Sequence, residues 1–305
     1  MVRSTALRQA IVFTSMVYVI AILIALALPH SGLTPLLSLF APVLSVVVLT
    51  FAATPKCDRG AIWRDMGLRR AGTGSWPAAV GFPIFFLSVA YGAAVVLGVA
   101  TLRVGHLSLS EVVRSAPNFV LFTLVGPIII LGEEVGWRGY LLPRLQTLLP
   151  RPKAALVTGL IHGAFHLPAI LLTTTYDSVG NRLIVAPVVV ATITFAGIFY
   201  GWLRDRSGTI WPVAIAHNTA NMVFSLGASA AVTASPAALA YTAGESGIAT
   251  LLAVAGVGIW LFRKADVWHN TVRNNNSPSA RPTGPRTAGA GSGSSRNRSL
   301  SLQDR

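Results

Sequence analysis

Eight stretches of this chain are each long and apolar enough to cross a bilayer, and that excludes most folds at once. They lie near 10–29, 35–54, 79–100, 119–139, 154–173, 184–203, 209–227 and 246–262, and a membrane helix needs about 20 mostly apolar residues. Hydrocarbon offers no water to backbone N–H and C=O groups, so runs of this length resolve into transmembrane helices. Composition closes the soluble alternative: 11% of the 305 residues are charged and 53% are hydrophobic, against about 25% charged in a globular chain. The expected fold class is all-α, a polytopic membrane helix bundle of about eight transmembrane helices with a catalytic core of four. Arg3 and Arg8 precede the first run as they would in a signal peptide. That run exceeds a typical h-region and lacks a clear small-residue cleavage site, so it reads as a retained helix.

Basic residues alternate from loop to loop. Arg3 and Arg8 lead the chain, and segment 55–78 carries Lys56, Arg59, Arg64, Arg69 and Arg70. Loop 140–153 carries Arg144, Arg151 and Lys153; the 204–207 turn has Arg204 and Arg206; Arg263 and Lys264 follow the last run. The intervening loops 30–34, 101–118, 174–183 and 228–245 hold only Arg103, Arg114 and Arg182 between them. An even number of spans with both termini cytoplasmic accounts for this pattern, and the expected location is the plasma membrane of a prokaryote. A formal net charge of +14 without a basic face or interleaved aromatics points to anionic lipid rather than nucleic acid. Cys57 is the only cysteine, which rules out an intramolecular disulfide or a cysteine-rich metal site, and it reads as an ordinary loop thiol.

The expected domain plan starts with transmembrane helices over 1–118, including a cytoplasmic amphipathic loop at 55–78. A catalytic core follows at 119–227, then a final transmembrane helix within 228–269. The basic tail 270–305 is too polar to bury a core and is expected to be disordered. Trp202, Trp211 and Trp268 suit an interfacial belt, Gly126-Pro127 and Pro212 are expected kinks that open the bundle, and the run Thr173–Asp177 reads as a solvated loop.

Three polar groups stand out within the apolar runs: Glu133, Glu134 and Arg138; then His162 and His166; then His217, Asn218 and Asn221. An ionisable group at membrane depth costs on the order of 2.5–3.5 kcal/mol on insertion scales, so such groups are rare and usually functional. Spacing separates the two carboxylates. Glu134 and Arg138 are four apart and share a helical face, which makes an ion pair. Glu133 points about 100° away, towards the face of Trp137, where a dry aromatic setting suits a general base. His217 and Asn221, also four apart, can enter one cavity as neutral hydrogen-bond donors, and His162 and His166 repeat the spacing.

Glu133-Glu134-x-x-x-Arg138, a histidine followed by Leu167-Pro168, and His217-x-x-x-Asn221 together resemble the CPBP family. That family comprises CAAX-prenyl-protease-type and bacteriocin-processing intramembrane glutamic proteases and is also called the Abi family. Met66-Gly67-Leu68-Arg69 resembles a common element ahead of its core. The resemblance implies that Glu133 activates water with help from His166, that His217 and Asn221 form an oxyanion site, and that Glu134 and Arg138 organise the cleft. His162 departs from the pattern. It occupies the place of an aromatic, and packing there is the favoured reading over a second proton-transfer role.

The expected activity is hydrolysis of a peptide bond in a polypeptide substrate in or at the bilayer, with no cofactor and no metal. Because Glu133 lies near the cytoplasmic end of its expected helix, the cleft is expected to open there. A zinc protease using Glu133, His166 and His217 is one alternative, without a HExxH motif in its favour. A non-catalytic membrane scaffold or bacteriocin-immunity-type protein is another, since fold does not fix function. A transporter fits least, because the polar groups cluster rather than line a path through repeats.

Overall fold

All eight expected helices form, and the exposed side chains are apolar where they would meet lipid. The computed structural model describes residues 2–102, 109–174 and 179–268, with the side chains of Val2 and of 109–113 outside the description. The tail 270–305, Arg103 and Asp177 lie outside those residues. Helices α1 (Val2–Ala27), α2 (Thr34–Ala52) and α4 (Trp76–Val96) precede α5 (Leu109–Glu134). A π-helical segment, Val135–Leu141, continues α5 into α6 (Leu142–Gln146). There follow α7 (Arg151–Phe165), α8 (Leu167–Leu172), α9 (Arg182–Ser207), α10 (Trp211–Ala230), α11 (Pro236–Ala243) and α12 (Ile248–Lys264). The only sheet among the described residues is a two-stranded antiparallel pair, Thr101–Leu102 with Ala231–Val232.

Among the described residues, seven helical stretches are long and apolar enough to cross a membrane, which makes this an integral membrane protein. The eighth expected run is α10. Its His217, Asn218 and Asn221 lower its hydropathy, and it packs against α4, α5 and α9. Outward-facing Leu23, Leu26, Phe85, Phe122, Leu124 and Leu252 are exposed, a surface that a bilayer covers and that water would penalise. Inward, α1 contributes Phe13 and Val17 to a core shared with Trp137, Tyr140, Leu141 and Leu142. Tyr18 Oη donates to Ile161 O over 2.8 Å, tying α1 to α7.

The closest helix pairing is α7 on α9, and small residues make it. Ala155, Gly159 and Gly163 recur every fourth position along α7, while α9 presents Gly197 and Gly201. A Cβ at Gly159 would lie 2.5 Å from Thr194 O, and one at Gly197 would lie 2.4 Å from Gly159 Cα. Only glycine permits that backbone approach, the usual means of helix association in lipid.

Several boundaries differ from expectation. The fourth span runs Arg114–Gln146 rather than ending at 139. Glu133 therefore lies near its middle, and an opening on the cytoplasmic side no longer follows from a helix end. The fifth span breaks at His166: Pro168 has no N–H to continue the ladder, so it sits in the first turn of α8, where none is needed. Pro212 likewise occupies the first turn of α10 and kinks nothing. Region 228–269 holds one candidate span, Pro236–Lys264, made of the short α11 followed by α12.

Segment 55–78 docks on the bundle instead of lying free. Helix α3 (Lys56–Asp65) has no buried residue, and Cys57 on it is exposed. Met66 is then fully buried, and Gly67 adopts φ +73°. Arg204 Nη2 donates to Asp65 O (2.8 Å), Trp211 Nε1 to Leu68 O (3.0 Å) and Thr209 Oγ1 to Arg70 O (2.6 Å). Trp202 and Trp268 are buried too, with Trp268 Nε1 donating to Asp205 Oδ2 over 2.8 Å. The bundle itself thus supplies acceptors for the N–H groups of Trp211 and Trp268, as buried indoles require.

Candidate active site

Helices α5, α7, α9 and α10 bring the polar groups of the sequence into one cluster. Glu133 and Glu134 end the α-helical part of α5, with relative exposures of 6% and 0%. Arg138, fully buried in the π-helical segment, places Nη1 3.0 Å and 3.2 Å from the two Glu134 oxygens. The expected i,i+4 ion pair is present. Its guanidinium also lies 4.8 Å above the ring of Tyr200, a favourable placement for a desolvated cation. Arg138 Nε and Nη2 find no hydrogen-bond acceptor among the described residues.

Glu133 meets His162: Oε2 lies 2.8 Å from Nε2. The imidazole stacks on Trp137, ring centroids 5.0 Å apart at 28°, as an aromatic at this position would. It thus packs and hydrogen-bonds at once. His166, at the break between α7 and α8, has its ring 5.4 Å from that of His162. His217 holds Glu134 Oε1 at 2.9 Å through Nδ1 and stacks on Tyr200 at 5.6 Å and 24°. A carboxylate only accepts, so this bond is donated by Nδ1–H. His217 can then donate from Nε2 only as an imidazolium.

Asn221 is exposed to two cavities. One, of about 70 Å³, is lined by His162, His166, His217, Tyr200 and Glu245 among others, and is roomy enough for water. The other, of about 620 Å³, is apolar and runs between α5 and α10 past Phe119, Phe122 and Met222. Gly126 matters at this seam, because a Cβ there would fall 2.1 Å from Asn218 Oδ1. Its absence lets Asn218 Nδ2 donate to Phe122 O over 3.0 Å.

Glu133, His162 and His166 offer ligand atoms all within 4.8 Å of one another, a different trio from the zinc set considered above. Arginine only donates, and Arg138 Nη1 lies 3.2 Å from His162 Nδ1. That contact leaves the proton on Nε2, where a metal would need a lone pair. The trio does not fit a metal in this arrangement.

Residues 112–223 match the family model described as Type II CAAX prenyl endopeptidase Rce1-like. This segment is a CAAX-protease (CPBP) family domain. A comparison with individually curated proteins gives no match. The CAAX-protease domain contains Glu133, Glu134, Arg138, His162, His166, His217 and Asn221, and its limits fall close to the expected core 119–227. At the family level this match supports a CAAX-type intramembrane protease, a class that suggests a protein substrate at the membrane. Two residues of the cluster escaped the sequence reading. Tyr200 looked like one more aromatic in an apolar run. Glu245 lies outside the CAAX-protease domain yet borders the small cavity, and its signal was available: it is the only charged residue between Arg206 and Arg263.

Proposed function

We propose that the protein is a glutamate-dependent endopeptidase that hydrolyses a membrane-associated polypeptide with a water activated by Glu133 and His166. The observation that carries this reading is a water-sized cavity lined by His166, His217 and Asn221, with a Glu133 carboxylate oxygen within 4.8 Å of a His166 ring nitrogen. Glu133 takes a proton as the water oxygen attacks the scissile carbonyl carbon, and His166 steadies the water. The carbonyl oxygen becomes an oxyanion that accepts from Asn221 Nδ2 and from His217 Nε2–H. Because Nδ1–H of His217 is given to Glu134, that second donor is the imidazolium form. Collapse of the intermediate breaks the C–N bond, the proton passes to the leaving amine, and a carboxylate and an amine result. Losing one oxyanion donor typically costs about 10²–10³ in rate.

Glu134 and Arg138 organise the site in this reading, and no cofactor takes part. The functional unit is the core 119–227, flanked by the membrane helices of 1–118 and 228–269. Loop charges favour cytoplasmic termini in a prokaryotic plasma membrane. The test compares membrane peptides from cells carrying wild-type protein or Glu133→Gln. A precursor that accumulates only with the variant is expected; undiminished processing by Glu133→Gln would remove the proteolytic reading.

A further inference from the structure

His162 is buried and titratable, and the mechanism above gives it nothing to do. Its hydrogen bonds say more. Arg138 Nη1 carries two N–H groups. One faces Glu134, whose oxygens lie at 3.0 and 3.2 Å, and the other reaches His162 Nδ1 at 3.2 Å. Guanidinium has no acceptor site, so Nδ1 must present its lone pair. An imidazolium would set Nδ1–H against the arginine N–H, and the opposite tautomer would do the same. The proton therefore resides on Nε2, and that N–H donates to Glu133 Oε2 over 2.8 Å.

We infer that His162 is a positioning residue: as a neutral ring protonated at Nε2 it links Arg138 to Glu133 and decides which carboxylate oxygen is left for water. This rests on the reading of Glu133 as the base. The Trp137 stack fixes the plane of the ring, and both nitrogens are committed, so the ring neither exchanges protons with the water nor offers a lone pair to a metal. The charged and titratable groups around it are Glu133, Glu134 and Arg138 from the α5 run, His166 on its own helix run, Tyr200 on α9 and His217 on α10. Arg138 thereby serves two carboxylates: Glu134 by direct contact and Glu133 through the imidazole. Loss of a hydrogen bond to a charged group commonly costs about 10- to 100-fold.

Two measurements test the linkage on the full-length protein in bilayers. ¹⁵N NMR of histidine-labelled protein, with His162 assigned by difference from His162→Phe, should show a bare Nδ1 and a protonated Nε2. A protonated Nδ1 at this residue overturns the proposal. The second measurement uses the precursor peptide that Glu133→Gln membranes accumulate. His162→Phe keeps a ring on Trp137 and deletes the donor; kcat should fall about 10- to 100-fold with KM within about twofold. His162→Gln sets an amide N–H near the place of Nε2 and should recover several-fold over Phe. Wild-type turnover by His162→Phe, or a Gln variant no better than Phe, overturns the linkage. Activity surviving in Glu133→Gln instead removes the reading of the base and leaves the tautomer measurement standing.

Discussion

Replacing Gly159 by alanine should loosen the bundle at the pairing that holds both α7 histidines. The added Cβ would stand 2.5 Å from Thr194 O and 3.0 Å from Gly197 Cα, all backbone that cannot rotate aside. Ordinary contact begins near 3.4 Å, so α7 must retreat from α9 by about 0.9 Å, a strain worth about 1–3 kcal/mol in a packed interior. Alanine's better helix propensity returns at most about 1 kcal/mol. Gly81→Ala on α4 isolates that gain, since nothing lies within 4 Å of its added Cβ. Reversible unfolding of the two variants by SDS in mixed micelles should therefore separate them by about 1–3 kcal/mol, Gly159→Ala being the weaker. The same retreat is comparable with the slack in the 2.8 Å His162–Glu133 bond, so cleavage should fall as well. Agreement of the two variants within about 0.5 kcal/mol would refute the backbone-contact account of α7 on α9.

Removing one partner of the buried ion pair should cost more than removing both. Arg138→Met leaves Glu134 charged and uncompensated, a loss of about 3–5 kcal/mol; Glu134→Gln combined with Arg138→Met should recover most of it in the same unfolding assay while cleavage stays absent. Gly67→Ala forces a left-handed residue to carry a Cβ 2.8 Å from Gly208 O, a strain of about 1–2 kcal/mol from the backbone alone. Limited proteolysis should then cut segment 55–78 faster than in wild type, and equal rates would refute the docking of that segment on the α9–α10 turn.

Much of this architecture was legible because lipid makes the rules strict. Apolar length alone located the helices, and spacing alone paired Glu134 with Arg138. The failures have physical causes. Hydropathy falls at Gly136, Trp137, Arg138 and Gly139, so the span read as ending at 139, and no local pattern signalled the wider π-helical coil or the extension to Gln146. The indole of Trp268 resembles a belt residue until Asp205 is seen to offer it an acceptor inside the bundle. The contact of Gly126 with Asn218 joins positions far apart in sequence and has no local signature. Ala155, Gly159 and Gly163 could have been recognised as a packing stripe, since their spacing is regular. At the site, the departure at His162 was visible, but its two partners were not: only the fold sets Arg138 on one nitrogen and Glu133 on the other.

The π-helical segment carries a further consequence. A wider coil stores an extra residue without changing the phase of the α-helices on either side. The buried faces of α5 before it and of α6 after it would survive the loss of a single residue from Val135–Leu141, and the helix would simply straighten. What would not survive is the placement of Trp137 under His162 and of Arg138 between two carboxylate systems. This stretch therefore has a required length as well as required side chains, and a one-residue deletion there should give a chain that still inserts and packs but has lost the register of its reactive centre.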